Sequence, residues 1–167
     1  MPIDHLQFKP TLVVAALEDD SEYQAFLSQE GRGLRFVPEP YSPHSPPSLA
    51  SDFGDFTKWI RQHEPSISIS VPADTPKLLL RNADVWLPLV YLASDTSVQV
   101  FLNMAANYLY DRAKGALKGD QPRVHIRAVY QDKQAGKTKK FEFSGDAAAL
   151  ARAIKKFDLN NFFDDTP

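Results

Sequence analysis

Between Thr96 and Phe157 the chain reads TSVQVFLNMAANYLYDRAKGALKGDQPRVHIRAVYQDKQAGKTKKFEFSGDAAALARAIKKF, and the periods within this stretch decide the fold. Asp95, Thr96 and Ser97 supply short side-chain oxygens that can accept an orphan amide of a first helical turn. After them Val98, Phe101, Leu102, Ala105, Leu109 and Ala113 recur at three- and four-residue spacing, which is one face of a helix. Arg112, Lys114 and Lys118 place positive charge where the macrodipole favours it. Gly115 or Gly119 closes the helix, because glycine enters the left-handed C-terminal conformation at little cost.

From Arg123 to Tyr130 the period changes to two. Val124, Ile126, Ala128 and Tyr130 point one way, and Arg123, His125, Arg127 and Val129 the other. Gln131 to Lys137 is polar and contains Gly136, so it reads as a turn. Lys139, Phe141 and Phe143 then share one face of a return strand, with Lys140 and Glu142 opposite, and the pair makes an antiparallel hairpin. Ser144-Gly-Asp146 opens a last helix whose expected inward face is Ala147, Leu150, Ala151, Ile154 and Phe157, with Lys155 and Lys156 near its end. The expected fold class is therefore α+β: a mainly antiparallel sheet including a 123–143 hairpin, packed against helices at about 97–114 and 146–157. Residues 1–167 are expected to form a single α+β domain, with 38–48 a proline-rich surface loop and 158–167 a polar C-terminal tail.

Working outward from that stretch, Thr11 to Leu17 is a short apolar run, most simply a buried strand. The acids of Glu18 to Glu22 suit the first turn of a helix carrying Tyr23, Phe26 and Leu27. Leu34 to Val37 reads as a strand. Five of the ten residues from Pro38 to Pro47 are proline, which favours extended, unpaired backbone. Asp52 to His63 reads as a helix presenting Phe53, Phe56, Trp59 and Ile60. Ser66 to Val71 alternates like a half-buried strand, and Lys77 to Leu80 and Val85 to Leu92 complete the apolar material. Trp86, Tyr91 and Leu92 are expected to be buried.

The 167 residues are 43% hydrophobic, enough for a sizeable core, and the net charge of −2 gives no global attraction to nucleic acid or anionic membrane. The absence of cysteine excludes disulfides, thiolate zinc sites and thiol nucleophiles, and fits a reducing cytoplasm. Acids follow the apolar run at 11–17 directly, so it does not read as a secretory leader. Val85 to Ala93 is about half the length that spans a bilayer, so no membrane partner is expected. His5, His44, His63 and His125 are scattered, no phosphate-cradling glycine loop occurs, and no Gly-x-Ser-x-Gly elbow is present. The expectation is a protein that is not an enzyme, with no cofactor and no metal.

Charge is distributed unevenly. Residues 1–64 carry ten acids against five bases, and residues 111–140 nine bases against three acids. The excess centres on the hairpin, where Arg123, His125, Arg127, Lys137, Lys139 and Lys140, with Lys133 beside them, form the candidate binding patch. Such a ribbon can follow phosphates or enter a groove. It can equally be a solvated sheet face with edge-protecting lysines, or a surface that meets acidic protein, including the chain's own acidic N-terminal part. The exposed bases have no interleaved aromatics of the kind single-strand binders stack on, which ranks nucleic acid last of the three.

A basic-ended helix, Arg123-Val-His-Ile-Arg127, a polar Asp132-to-Thr138 turn, Lys140-Phe-Glu-Phe-Ser-Gly-Asp146 and an alanine/leucine helix together resemble the effector-associated constant components of bacterial conflict systems. The resemblance spans residues 97–156 and has no counterpart for 1–95. It implies an adaptor that bridges a sensor and an effector by protein contacts, and it carries no catalytic residues across. The leading expectation is thus a non-enzymatic accessory module, an adaptor or immunity-type partner in a bacterial defence or competition system, whose partner is an effector or sensor protein. Nucleic-acid or nucleotide binding through the hairpin 123–140 is the alternative, and a small enzyme whose site is assembled only by folding is the third.

Overall fold

A computed structural model describes residues 10–29, 32–40, 43–50, 52–78, 84–114 and 123–164, with backbone alone at 77–78, 113–114 and 157–164. In chain order the elements are β1 (Thr11–Ala16), α1 (Ser21–Gln29), β2 (Leu34–Val37), β3 (Leu49–Ala50), α2 (Asp52–His63), β4 (Ile69–Ser70), β5 (Lys77–Leu78), β6 (Val85–Trp86), β7 (Leu89–Leu92), α3 (Val98–Lys114), β8 (Val124–Asp132), β9 (Lys137–Gly145) and α4 (Ala147–Asp164). The fold is α+β. Its main sheet runs β1-β9-β8-β7-β2-β4, with β6 also paired to β8, and β3 and β5 form a separate two-stranded ribbon.

The longest pairings, β8 with β9 and β1 with β9, are antiparallel, as is β2 with β7. β7 and β6 join β8 in parallel, and β4 joins β2 in parallel. Parallel neighbours need a crossover, and α3 supplies it between β7 and β8. Ser97 caps α3, its Oγ accepting from Val100 N at 3.1 Å. Asp95 does not cap the helix. Its carboxylate accepts the Gly33 amide at 2.8 Å and so joins the start of α3 to the start of β2. Asp146 caps α4, accepting from Ala149 N at 2.7 Å. The hairpin turn is closed by Asp132, whose Oδ1 accepts the amides of Gln134 and Ala135 and whose Oδ2 meets Lys139 Nζ at 2.7 Å. These bonds, the Lys139 contact foremost, hold the Asp132 carboxyl below the usual range.

Strand alternation builds two apolar layers. On one face Leu34, Phe36, Val90, Leu92, Ile126, Ala128, Phe141 and Phe143 meet Phe53, Phe56 and Ile60 of α2, Phe101, Leu102, Ala105 and Leu109 of α3, and Ala149, Leu150 and Ile154 of α4. On the other face α1 sets Tyr23 and Phe26 against Leu89, Tyr91 and Val129. Tyr23 also donates to Leu92 O at 2.6 Å, so a polar tip is satisfied inside an apolar contact.

Several local expectations change. Thr11–Ala16 is a strand but an exposed one at the sheet's end, where no helix among the described residues covers most of it. α4 is rotated from its expected orientation: Ala149, Leu150 and Ile154 are buried and Ala153 half-buried, while Ala147 and Ala151 face solvent. Trp86 is half-buried rather than buried, and Ser66–Val71 contributes only Ile69–Ser70 to the sheet. Within the proline-rich segment Glu39 and Ser48 form an isolated bridge. The predicted helix closures at Gly115 and Gly119, the side chain of Phe157 and residues 79–80 lie outside the described residues.

Candidate functional site

The hairpin's basic residues do not share one surface. Cross-strand register sets Lys139 opposite Tyr130 and Lys140 opposite Val129, which puts the two lysines on opposite faces. Lys139 pairs with Asp132, and Lys140 Nζ lies 3.0 Å from Glu142 Oε1. Arg127 forms an ion pair with Glu39, so the acidic N-terminal half does meet the hairpin. Arg123 is half-buried, and Lys137 at the hairpin's end is exposed. With Arg127, Lys139 and Lys140 paired to the chain's own carboxylates, the hairpin offers phosphates fewer free cations than its sequence suggests.

His125 is the most constrained of the set. Its Nδ1 lies 2.9 Å from Ser144 Oγ, its Nε2 lies 3.0 Å from Asp84 Oδ2, and its ring stacks on Trp86 at 3.7 Å between centroids. Serine, histidine and aspartate are the residue types of an acyl-transfer triad, but the backbone around Ser144 does not suit that chemistry. Leu17 N bonds to Thr138 O, so with the observed register the even-numbered residues of β9 bond towards β1 and the odd-numbered ones towards β8. The Gly145 amide, which follows Ser144 and would be the natural oxyanion donor, is therefore directed into the β8–β9 ladder. The cluster fixes β6 and residue 84 against the hairpin.

Two other polar constellations also serve packing. Between α2 and α3, Tyr108 donates to Asp55 at 2.7 Å, Arg112 to Asp52 at 3.0 Å, and Trp59 Nε1 to Asp111 at 2.9 Å, with the Trp59 ring stacked on His63. A cleft of about 320 Å³ at the start of α3 is lined by Tyr23, Ser97 and Asp132 among others. Those three are committed to Leu92 O, Val100 N and the hairpin turn. Among the described residues no three His, Asp or Glu side chains converge as a metal site, and no helix is long and apolar enough to cross a membrane.

The edge strand β1 is different. Its register with β9 pairs Thr11 with Ser144 through to Ala16 with Lys139. The Leu17-to-Thr138 bond fixes the phase: residues 11, 13 and 15 turn their amides and carbonyls to β9, whereas Leu12, Val14 and Ala16 turn theirs to the outer edge, where no strand pairs among the described residues. Val13 is 50% exposed and Val14 40% exposed, one on each face. The strand contains no charge and no proline, the usual means of blunting an edge. At the opposite end of the sheet β4 spans two residues and is protected by its shortness. Sequence reading missed this site because Thr-Leu-Val-Val-Ala-Ala has the composition of a buried central strand. Only the pairing order shows it at the edge.

No protein-family model, no curated protein and no solved structure matches this chain.

Proposed function

We propose that this chain is a protein-binding module that docks its partner by strand addition to β1. The observation that carries this reading is the six-residue apolar edge, with outward backbone groups at Leu12, Val14 and Ala16 and with Val13 and Val14 open to solvent. An extended segment laid against such an edge gains a row of main-chain hydrogen bonds and covers apolar side chains at the same time. No strand among the described residues pairs with this long apolar edge, and such an edge risks uncontrolled pairing, which a dedicated partner would prevent. The role suggested by the resemblance of residues 97–156, a non-enzymatic adaptor or immunity-type accessory between sensor and effector in a bacterial defence or competition system, needs a protein-contact surface, and this edge would supply one.

The test is Val14→Pro. Because the Val14 amide points away from β9, proline there removes a donor from the free edge and leaves the β1–β9 ladder intact. Tagged wild type and variant, each shown to be folded by circular dichroism, are used to purify partners from the source organism after nuclease treatment. The expected result is a stoichiometric protein partner that the variant loses. Equal recovery by both proteins would contradict docking through β1.

A further inference from the structure

We infer that the β1 edge and the groove beside it under α4 take one occupant: an extended segment of another protein whose alternate, α4-facing side chains combine apolar residues with carboxylates. This rests on the docking reading above and adds the partner's chemistry. The groove, of about 290 Å³, lies between Pro10, Leu12 and Phe143 on the sheet side and Ala149 and Ala153 on the helix side, with Arg152 and Lys156 on its rim. Backbone and side chains coincide here. Leu12 and Val14 lie opposite Phe143 and Phe141, so their side chains are on the α4 side, and they also turn their amides and carbonyls outward. Residues that bond directly to them place side chains on that same face. An added strand therefore lays every second side chain along the groove.

The small side chains of Ala149 and Ala153 leave room for those residues, and Leu12 and Phe143 offer them an apolar floor. Arg152 and Lys156 stand four apart on α4, hence on one side of the helix, and both are exposed. Neither is ion-paired among the described residues, unlike Arg127, Lys139 and Lys140 on the hairpin. A cationic rim beside an apolar, hydrogen-bonding floor is complementary to a strand whose groove-facing side chains include both apolar residues and carboxylates. A second copy of this chain fits poorly. Two-fold pairing of β1 with β1 would bring two Arg152/Lys156 rims to one seam, and Thr11–Ala16 has no carboxylate to answer them.

The probe is a library of random peptides about ten residues long, displayed on phage and selected on the full chain, on Val14→Pro and on the double variant Arg152→Glu/Lys156→Glu. Selection on the full chain should enrich peptides in which one set of every-second positions, the set that lies along the groove, combines apolar residues with Asp or Glu. A synthetic winner should bind the double variant at least about tenfold more weakly, and the double variant should itself select Lys or Arg at the acidic positions. Winners without acids, or winners that bind the double variant equally well, would overturn the acidic occupant while leaving the docking edge standing. Winners insensitive to Val14→Pro would overturn both. A dimer in sedimentation that Val14→Pro dissolves would give the edge to a second copy and overturn the inference.

Discussion

Among the described glycines, Gly33 leaves the least room for an added atom. Its φ is +72°, and an added Cβ would lie 2.0 Å from the Ser68 carbonyl oxygen. The same residue accepts from Ala93 N through its carbonyl and donates to Asp95 Oδ1, so it ties β2, the β4 approach and the start of α3 together. Gly33→Ala should therefore lose about 1–3 kcal/mol from the left-handed backbone alone, and more as the Ser68 segment is pushed away. Urea unfolding measures this directly, and a loss within roughly 0.5 kcal/mol, as at an ordinary surface site, would contradict the close approach. Residue-scale pairings such as Arg127 with Glu39, or His125 with Asp84 and Ser144, were beyond sequence reading. Each joins segments 19 to 88 positions apart, and no local period encodes which carboxylate a given cation will meet.

At the scale of elements, legibility follows how local the signal is. α3, the hairpin and α4 could be read because period, cap and turn residues lie within a few positions of each other: Ser97, Asp146 and Asp132 all occupy the roles their chemistry suits. β1 was legible as a strand and illegible as an edge. Exposure there depends on where α4 lies, and the described side chains of α4 bury a narrow stripe that reaches Leu12 and leaves Val14 open. The docking groove was hidden for the same reason, since Arg152 and Lys156 acquire meaning only beside β1. The face of α2 could be read, and it supplies the test of inter-element packing. Phe56 is fully buried, 6.1 Å from Phe36, 6.4 Å from Phe101 and 4.9 Å from Tyr108 between ring centroids. It thereby joins α2 to β2 and α3. Phe56→Ala should cost about 3–5 kcal/mol in chemical denaturation, and a loss near that of a surface substitution would contradict a shared α2–α3–sheet core.

At the scale of the whole molecule, buried phenols distributed over both faces of the sheet couple its stability to alkaline pH. Burial pushes Tyr23, Tyr91 and Tyr130 up to about 12, with the Glu22 carboxylate adding to the rise at Tyr91. Tyr108 is raised further, again chiefly by burial, with its bond to Asp55 contributing. An unfolded chain ionises its tyrosines near pH 10. Folding therefore retains protons that the unfolded state gives up, so this stabilisation is complete below about pH 10 and is lost as pH rises towards 12. Phenolate absorbance should rise together with loss of the far-ultraviolet dichroism signal in that window. Smooth ionisation of all six tyrosines near pH 10 with the dichroism unchanged would contradict the burial.

The central claim, that β1 offers a free edge to a partner strand, makes an alternating prediction along six residues. Residue-resolved amide hydrogen exchange, measured by NMR on the chain alone and with a bound acidic peptide from the selection, tests it most directly. In the free chain the amides of Val13 and Ala15, bonded to β9, should exchange slowly, while those of Leu12, Val14 and Ala16 exchange fast. On binding, the even-numbered amides should become protected and the odd-numbered ones should change little. Even-numbered amides that are already protected in the free chain, or that stay unprotected when the peptide is bound, would contradict it.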